Sequence, residues 1–399
     1  MKVSTRIFVA AAGLLIVLSS SGFCELRMGP YYYLETSESA FIADGAFTLS
    51  TNIAGDFAAK VVFNDRWSMV PYYGLSYQGP GATSESKEGA NFQEQYQEHA
   101  VIAKTVYNFS ELWRLGGKAG YQVHLSKTGS TEEWTTGLYN NHGLTCGFDA
   151  TTIIGDKQVD MGYLFTQCAY PNYSNLIGYF DKREARPEQD HYRHKFFVEG
   201  IKLMLKDAWV EGDFAYTIKA YAAQGVIGES GEENINVKQV DNISDLDIDV
   251  NYLPVKGLLF TLGQQVELNL SNQNDLSFGD PMDTTSLRFN SNYYGYTFYE
   301  VEPRVSYTFP GGICCMMSFA FNLKNYHARS PRNNEGGWLT GTEWDITREA
   351  EAGVSFPMEK FALGLYYTYV SSVSNMKYEG YYRYNYETHN IKLSYSFEY

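Results

Sequence analysis

Three carboxylates at a spacing of two, Asp245, Asp247 and Asp249, are the residues of this chain best suited to a chemistry of their own. On an extended backbone they share one face, while Leu246, Ile248 and Val250 share the other. Like charges that close repel unless cations or bases lie opposite, so the ladder predicts a cation-attracting surface. The same alternation recurs downstream. Glu267 opposes Val266 and Leu268, and Glu300, Glu302 and Arg304 oppose Tyr299, Val301 and Val305. Glu343, Asp345, Glu349 and Glu351 oppose Trp344, Ile346, Ala350 and Ala352. Upstream, Arg114 and Lys118 face away from Trp113 and Leu115, while Asp213 and Lys219 face away from Phe214 and Ile218. Bases thus concentrate on earlier segments and acids on later ones. For any one of these residues, pairing with an opposite charge on a neighbouring strand is the simpler role.

Reactive side chains of other kinds form no motif. Cys146 and Cys168 fall on opposite phases of consecutive segments, which disfavours a hairpin disulfide, and the adjacent Cys314 and Cys315 point to opposite faces. Neither pair has zinc-ligand spacing. His191 and His194, beside Arg193 and Lys195, read as solvated residues at a loop-to-strand junction. The cluster Lys182, Arg183 and Arg186 is interrupted by Asp181, Glu184 and Glu188. No Ser, acid and His constellation stands out locally. The sequence therefore assigns no catalytic residue, metal or cofactor, and the chain reads as a non-enzyme. A formal charge of −15, from 31 basic and 46 acidic side chains without a basic stripe, argues against nucleic acid.

The elements carrying these residues are strands. From Asp56 onward one unit repeats: strand, tight turn, strand, long polar loop. Turns of about three to five residues alternate with loops of about ten to twenty-five, and the longest loop runs from Asn272 to Tyr296. Seven hairpins, a strand placed at Ala40 to Ser50 and the terminal strand give about sixteen in all, with about fourteen or eighteen left open. The 34 Tyr and 24 Phe need many sites where a ring is buried and its hydroxyl is wet. Lys2 and Arg6, the apolar run Ile7 to Leu18 and the small residues Ser19 to Gly22 read as a secretory signal, 1–24, cleaved after Cys24, with Gly22 as the alternative site. Residues 25–39 would form a periplasmic or plug segment, leaving 40–399 as a single all-β domain, while Tyr31, Tyr32 and Tyr33 are open to starting the first strand, anchoring at the inner rim or folding into the lumen.

The last ten residues decide between two settings for such a pattern. Ile391, Leu393, Tyr395, Phe397 and the terminal Tyr399 alternate with Asn390, Lys392, Ser394, Ser396 and Glu398. This strand, with the unequal connections, resembles the porin-like class of Gram-negative outer-membrane β-barrels over the whole mature chain. The resemblance implies an antiparallel transmembrane barrel with short periplasmic turns and long extracellular loops. The terminal strand would then be read by the barrel-assembly machinery. The apolar phase would face lipid and the charged phase the lumen, reversing a soluble sandwich. Lumen-lining residues are then Arg114, Lys118, Asp213, Lys219, Asp245, Asp247, Asp249, Glu267, Glu300, Glu302, Arg304, Glu343, Asp345, Glu349 and Glu351. The function implied is passive diffusion of small hydrophilic solutes or ions, mildly favouring cations. A structural or adhesive barrel binding partners through its loops is the alternative. Expected partners are outer-membrane lipid, lipopolysaccharide and small solutes. Nothing in the sequence marks an interface, so a homo-oligomer stays open.

Overall fold

The computed structural model describes residues 27–43, 46–79, 95–127, 133–154, 157–173, 188–280, 283–378 and 384–399. The signal segment, most of the loop from Gly79 to Gln95 and the Lys182, Arg183, Arg186 cluster lie outside them. The elements are β1 (Arg27–Ala43), β2 (Ala46–Val62), β3 (Trp67–Gly79), β4 (Gln95–Asn108), β5 (Trp113–Lys127) and β6 (Asn141–Ile154). Next come β7 (Lys157–Ala169), β8 (His191–Met204), β9 (Ala208–Ile227), β10 (Glu233–Val255), β11 (Leu258–Ser271) and the short β12 (Asp275–Asp280) and β13 (Asp283–Asn290). β14 (Tyr296–Thr308), β15 (Cys314–Tyr326), β16 (Trp344–Met358), β17 (Phe361–Ser374) and β18 (Tyr386–Glu398) complete the chain. Sixteen of them close into one antiparallel barrel in which each strand pairs with its neighbours in sequence, β14 following β11 and β18 meeting β1. β12 and β13 form a separate hairpin within the connection between β11 and β14.

The expected count of strands is the observed one, but the first strands are placed differently. Residues 27–39 are not a plug: they belong to β1, which pairs along its length with β2 and β18. The Ala40 to Ser50 segment is divided, its start ending β1 and its end opening β2, with Ala43 paired to Ala46. The plug reading arose because β1 lacks a clean apolar phase. Its inner face carries Glu35, Ser37 and Ser39, while Thr36 and Glu38 interrupt the outer one. The segment Gly225 to Asn236 is a second departure, since the alternation of tight turns and long loops places a loop there. β9 and β10 run 20 and 23 residues and meet in a tight connection at 228–232, turned by Gly231 at φ +81°. The alternation of short and long connections is therefore broken at two places on the loop end.

Which face is outside follows from exposure. Buried apolar side chains among the described residues are few: Val61, Met69, Cys168, Tyr221 and Met376. The apolar phase is instead exposed around the wall, through Leu115, Phe148, Phe214, Leu246, Phe260, Phe319, Leu365 and Leu393. Water would not stabilise such a surface, since an apolar patch this continuous seeks a partner or a bilayer. Near the loop end of that surface, four tyrosine hydroxyls meet histidine Nδ1 atoms on neighbouring strands. The pairs are Tyr73 with His99 at 2.9 Å, Tyr121 with His142 at 2.8 Å, Tyr163 with His194 at 2.7 Å and Tyr367 with His389 at 2.7 Å. Rings with one apolar flank and one polar tip suit the boundary between hydrocarbon and headgroups. His194 is thus on the outer face, whereas His191 is buried on the inner one, its Nδ1 2.8 Å from the Gln189 carbonyl.

The seam is closed by the terminal strand. Tyr399 N–H donates to the Tyr32 carbonyl and Tyr32 N–H to that of Tyr399, both at 2.9 Å. The two rings stack at 6.2 Å, and Lys360 Nζ lies 3.9 Å from the Tyr399 ring centre. Tyr31 and Tyr33 take the inner face of β1 and Tyr32 the outer, which answers where the tyrosine triplet goes.

Candidate functional site

The charged phase of the strands meets on the enclosed face, where the register sets carboxylates side by side. Asp247 pairs in register with Asp213 on β9 and with Gln265 on β11, which in turn faces Glu300 on β14. One step nearer the turn end, Asp249 stands opposite Glu211 and Gly263, and Gly263 opposite Glu302. One step nearer the loops, Asp245 faces Glu267, Glu267 faces Phe298, and Phe298 faces Lys324, which faces Asp345. A recess of about 250 Å³ opens on this wall, lined by Glu211, Asp213, Asp247, Asp249, Glu300, Glu302 and Arg304 among others. Glu349 and Glu351 extend the acidic surface along β16, opposite Ala320 and Ser318.

Few bases compensate these acids. Arg304 Nη2 lies 2.7 Å from Asp249 Oδ1, and its Nε is 3.6 Å from Glu302 Oε2. Lys202 Nζ holds Glu211 at 2.5 Å. The remaining restraints are neutral: Gln265 donates to Asp245 at 3.1 Å, the Gly200 N–H to Asp213 at 2.6 Å and the Thr368 hydroxyl to Glu351 at 3.3 Å. A side chain at Gly263 would come within 3.1 Å of Asp249 and 3.2 Å of Arg304, so the glycine leaves room for that ion pair.

The early bases sit elsewhere on the wall. Lys118 pairs in register with Lys104, whose ammonium is 3.2 Å from Asp149, and Arg114 lies at the turn end of β5. In a barrel of sixteen, β5 stands across the lumen from β15, between the acids of β14 and β16. Lys219 is in a different cluster, beside Arg193 and Asp241 near the buried His191. Glu211 and Gln265 complete the acidic recess. Glu211 shares the phase of Asp213 on β9, a signal present in the sequence.

These features rest on a fold known elsewhere. No protein-family model and no curated protein matches the chain at the level of sequence. Solved structures do match. OccAB1 of Acinetobacter baumannii aligns with 95% of this chain and 98% of its own at a TM-score of 0.51 and 11% identity. OmpT of Vibrio cholerae, an outer-membrane protein in trimer form, aligns with 94% and 100% at 0.50 and 10%. The chain has the fold of an outer-membrane porin barrel. In an outer-membrane barrel of that fold the charged phase would line the lumen and the exposed apolar phase would face lipid, with the long loops at the extracellular end.

Above the acidic wall, the barrel carries a second recess of about 460 Å³ lined by Lys324, Tyr326, Arg329, Asp345, Tyr384 and Tyr386. Glu343 belongs here and not to the lumen wall. It precedes β16, is fully buried, and sits with its Oε2 2.8 Å from Arg329 Nε. Arg329 also donates to the Tyr384 hydroxyl at 3.1 Å and stacks on the Tyr293 and Tyr326 rings at 5.0 and 4.7 Å. The Glu343 main chain bonds both ways, to Arg329 and Tyr326, so this pair ties the loop 327–343 to the barrel mouth.

Burial pushes the Glu343 carboxyl up from its ordinary 4.5 to about 7, against the pull of Arg329. A raised carboxyl favours the protonated folded form. Its contribution to anchoring is therefore complete below about pH 4.5 and is lost as the pH rises through about 7. Amide exchange in residues 327–343 is expected to be faster at pH 8 than at pH 5, and Glu343→Gln should flatten that difference. Equal rates in the wild type at both pH values would contradict it.

Proposed function

We propose that this barrel is a passive diffusion channel for small hydrophilic solutes or ions, with a mild preference for cations. The observation that carries this reading is the ladder Asp245, Asp247, Asp249 flanked by Glu211, Asp213, Glu300 and Glu302, with Arg304 and Lys202 as the nearby bases. A wall with excess carboxylate concentrates cations and repels anions at short range. The barrel would be inserted by the assembly machinery through its terminal strand. It would sit among lipid and lipopolysaccharide, with the tyrosine and histidine pairs at the outer boundary.

Passage is narrowed from the extracellular side. The β12–β13 hairpin packs against the β9–β10 tip, where Asn274 donates to the Ile227 carbonyl at 2.7 Å and Gln273 to that of Gly225 at 3.0 Å. On its other flank Arg288 stacks on Trp338 at 5.5 Å. Replacing Asp275–Asn290 by a short glycine linker is expected to raise single-channel conductance about twofold or more, as removal of a loop from a pore mouth widens the aqueous path. Conductance unchanged in folded protein would remove the hairpin from the permeation path. Liposome swelling with uncharged sugars of increasing size tests the channel reading itself. Proteoliposomes that exclude even the smallest sugar would overturn it in favour of a closed barrel acting through its loops.

A further inference from the structure

The recess at the loop end of the inner wall differs in its chemistry from the acidic one below it. Its floor is a row of neutral side chains set side by side by the register: Asn322 on β15, Thr347 on β16, Ser372 on β17 and Tyr386 on β18. Each can both donate and accept hydrogen bonds. The Thr347 hydroxyl already reaches that of Ser372 at 3.4 Å. One row nearer the loops, Phe298 on β14 stands beside Lys324, and Lys324 beside Asp345. Phe298 and Tyr386 thus bring aromatic rings to the two sides of the recess, with the polar floor between them.

The charges around this floor are matched. Lys324 pairs in register with Asp345, and its ammonium lies 4.0 Å from the centre of the Tyr296 ring and 5.1 Å from that of Tyr326. Arg329 is held by Glu343 and the Tyr384 hydroxyl. These two pairs leave no net charge to select an anion or a cation. A neutral solute with many hydroxyls suits such a floor, since each hydroxyl can accept from one neighbour and donate to another. The C–H faces of a sugar ring suit the negative ring faces of Phe298 and Tyr386 on the flanks. At about 460 Å³ the recess is large enough for one, as ligand sites run from roughly 300 to 1,000 Å³.

We propose that this recess is a binding site for a small neutral saccharide, taken up from the loop end. The inference rests on the channel reading above, because it names a solute that the pore would admit. Asn322, Thr347, Ser372 and Tyr386 would bond the sugar hydroxyls while Phe298 packs against the ring. Arg329 and Glu343 would act from behind, by holding Tyr384 and the loop 327–343 against the recess.

Saturation-transfer NMR on the folded mature barrel in detergent, with sucrose as the probe, reads binding whether or not solute crosses the wall. Saturable transfer is expected, and neither acetate nor glycine should displace the sugar. Thr347→Val combined with Ser372→Ala should weaken binding roughly tenfold through the loss of two hydrogen-bonding hydroxyls, with the unheated gel mobility of the barrel unchanged. Should that pair impair folding, Phe298→Leu, which keeps apolar bulk and removes the ring face, carries the same direction of change. Liposome swelling with sucrose separates this inference from the one beneath it. Binding without passage would keep the site and overturn the channel, whereas passage without saturable binding would overturn the site. Displacement of sucrose by acetate or glycine would overturn it too, as a recess for charged solutes, and so would wild-type affinity in the folded variants.

Discussion

A chain lacking Phe397, Glu398 and Tyr399 is expected to lose nearly all of its folded barrel. These residues complete the seam: Phe397 pairs in register with Leu34 and Phe361, Glu398 with Tyr33, and Tyr399 exchanges two backbone hydrogen bonds with Tyr32. Phe397 also packs on Phe361 at 5.1 Å between ring centres. Removing them frees main-chain donors and acceptors at the turn end of β1, where lipid cannot hydrogen-bond to them. Each unsatisfied group there costs several kcal/mol, roughly 2–7 by transfer measurements. A sheet that cannot close also has two open edges, which invite aggregation. Tyr399→Ala keeps the main chain and loses the ring stack and the Lys360 contact, so it should destabilise by about 1–2 kcal/mol only. The fraction of chain with the mobility of a compact barrel on an unheated gel measures both. Wild-type yield from the truncated chain would mean that β1 and β18 do not hold the seam.

Changing Asp245, Asp247 and Asp249 together to Asn should abolish the cation preference and lower the cation-to-anion permeability ratio roughly fivefold. The expected effect exceeds the loss of three charges because Asp249 is the partner of Arg304. Without it the guanidinium is left with the more distant Glu302 and becomes an attractive site for anions on the same wall. Asp249→Asn alone should therefore shift the reversal potential more than Asp245→Asn, whose carboxylate is met by the neutral Gln265 amide. Asn keeps volume and hydrogen-bonding capacity, so folding should be little affected. A triple variant with wild-type selectivity would show that ions pass away from this wall.

Much of this architecture was readable because a two-residue period survives wherever one face meets lipid and the other water. The strand carrying Leu246, Ile248 and Val250 against its aspartates is one case, and the terminal strand another. The reading failed where the period is absent. In β1 the inner face is Glu35, Ser37 and Ser39 and the outer face includes Thr36 and Glu38, so a wall strand looked like a polar tail. Extending a period also misplaced Glu343: it keeps the phase of Asp345 and Glu349, yet lies past the end of the strand in a buried pair with Arg329. Arg329 itself lay in a loop without pattern, and the Tyr and His pairs join residues 21 to 31 apart in sequence, which periodicity within one strand cannot link. The register that brings Glu211, Asp213, Asp247 and Glu300 to one recess is likewise a property of strand pairing.

The most direct test of an acid-lined open pore is the current through single molecules of the refolded mature protein in a planar bilayer under a salt gradient. Stable conductance steps with a reversal potential displaced toward the cation value are the expected result. Folded protein that passes no current, or steps with an anion-selective reversal potential, would contradict it.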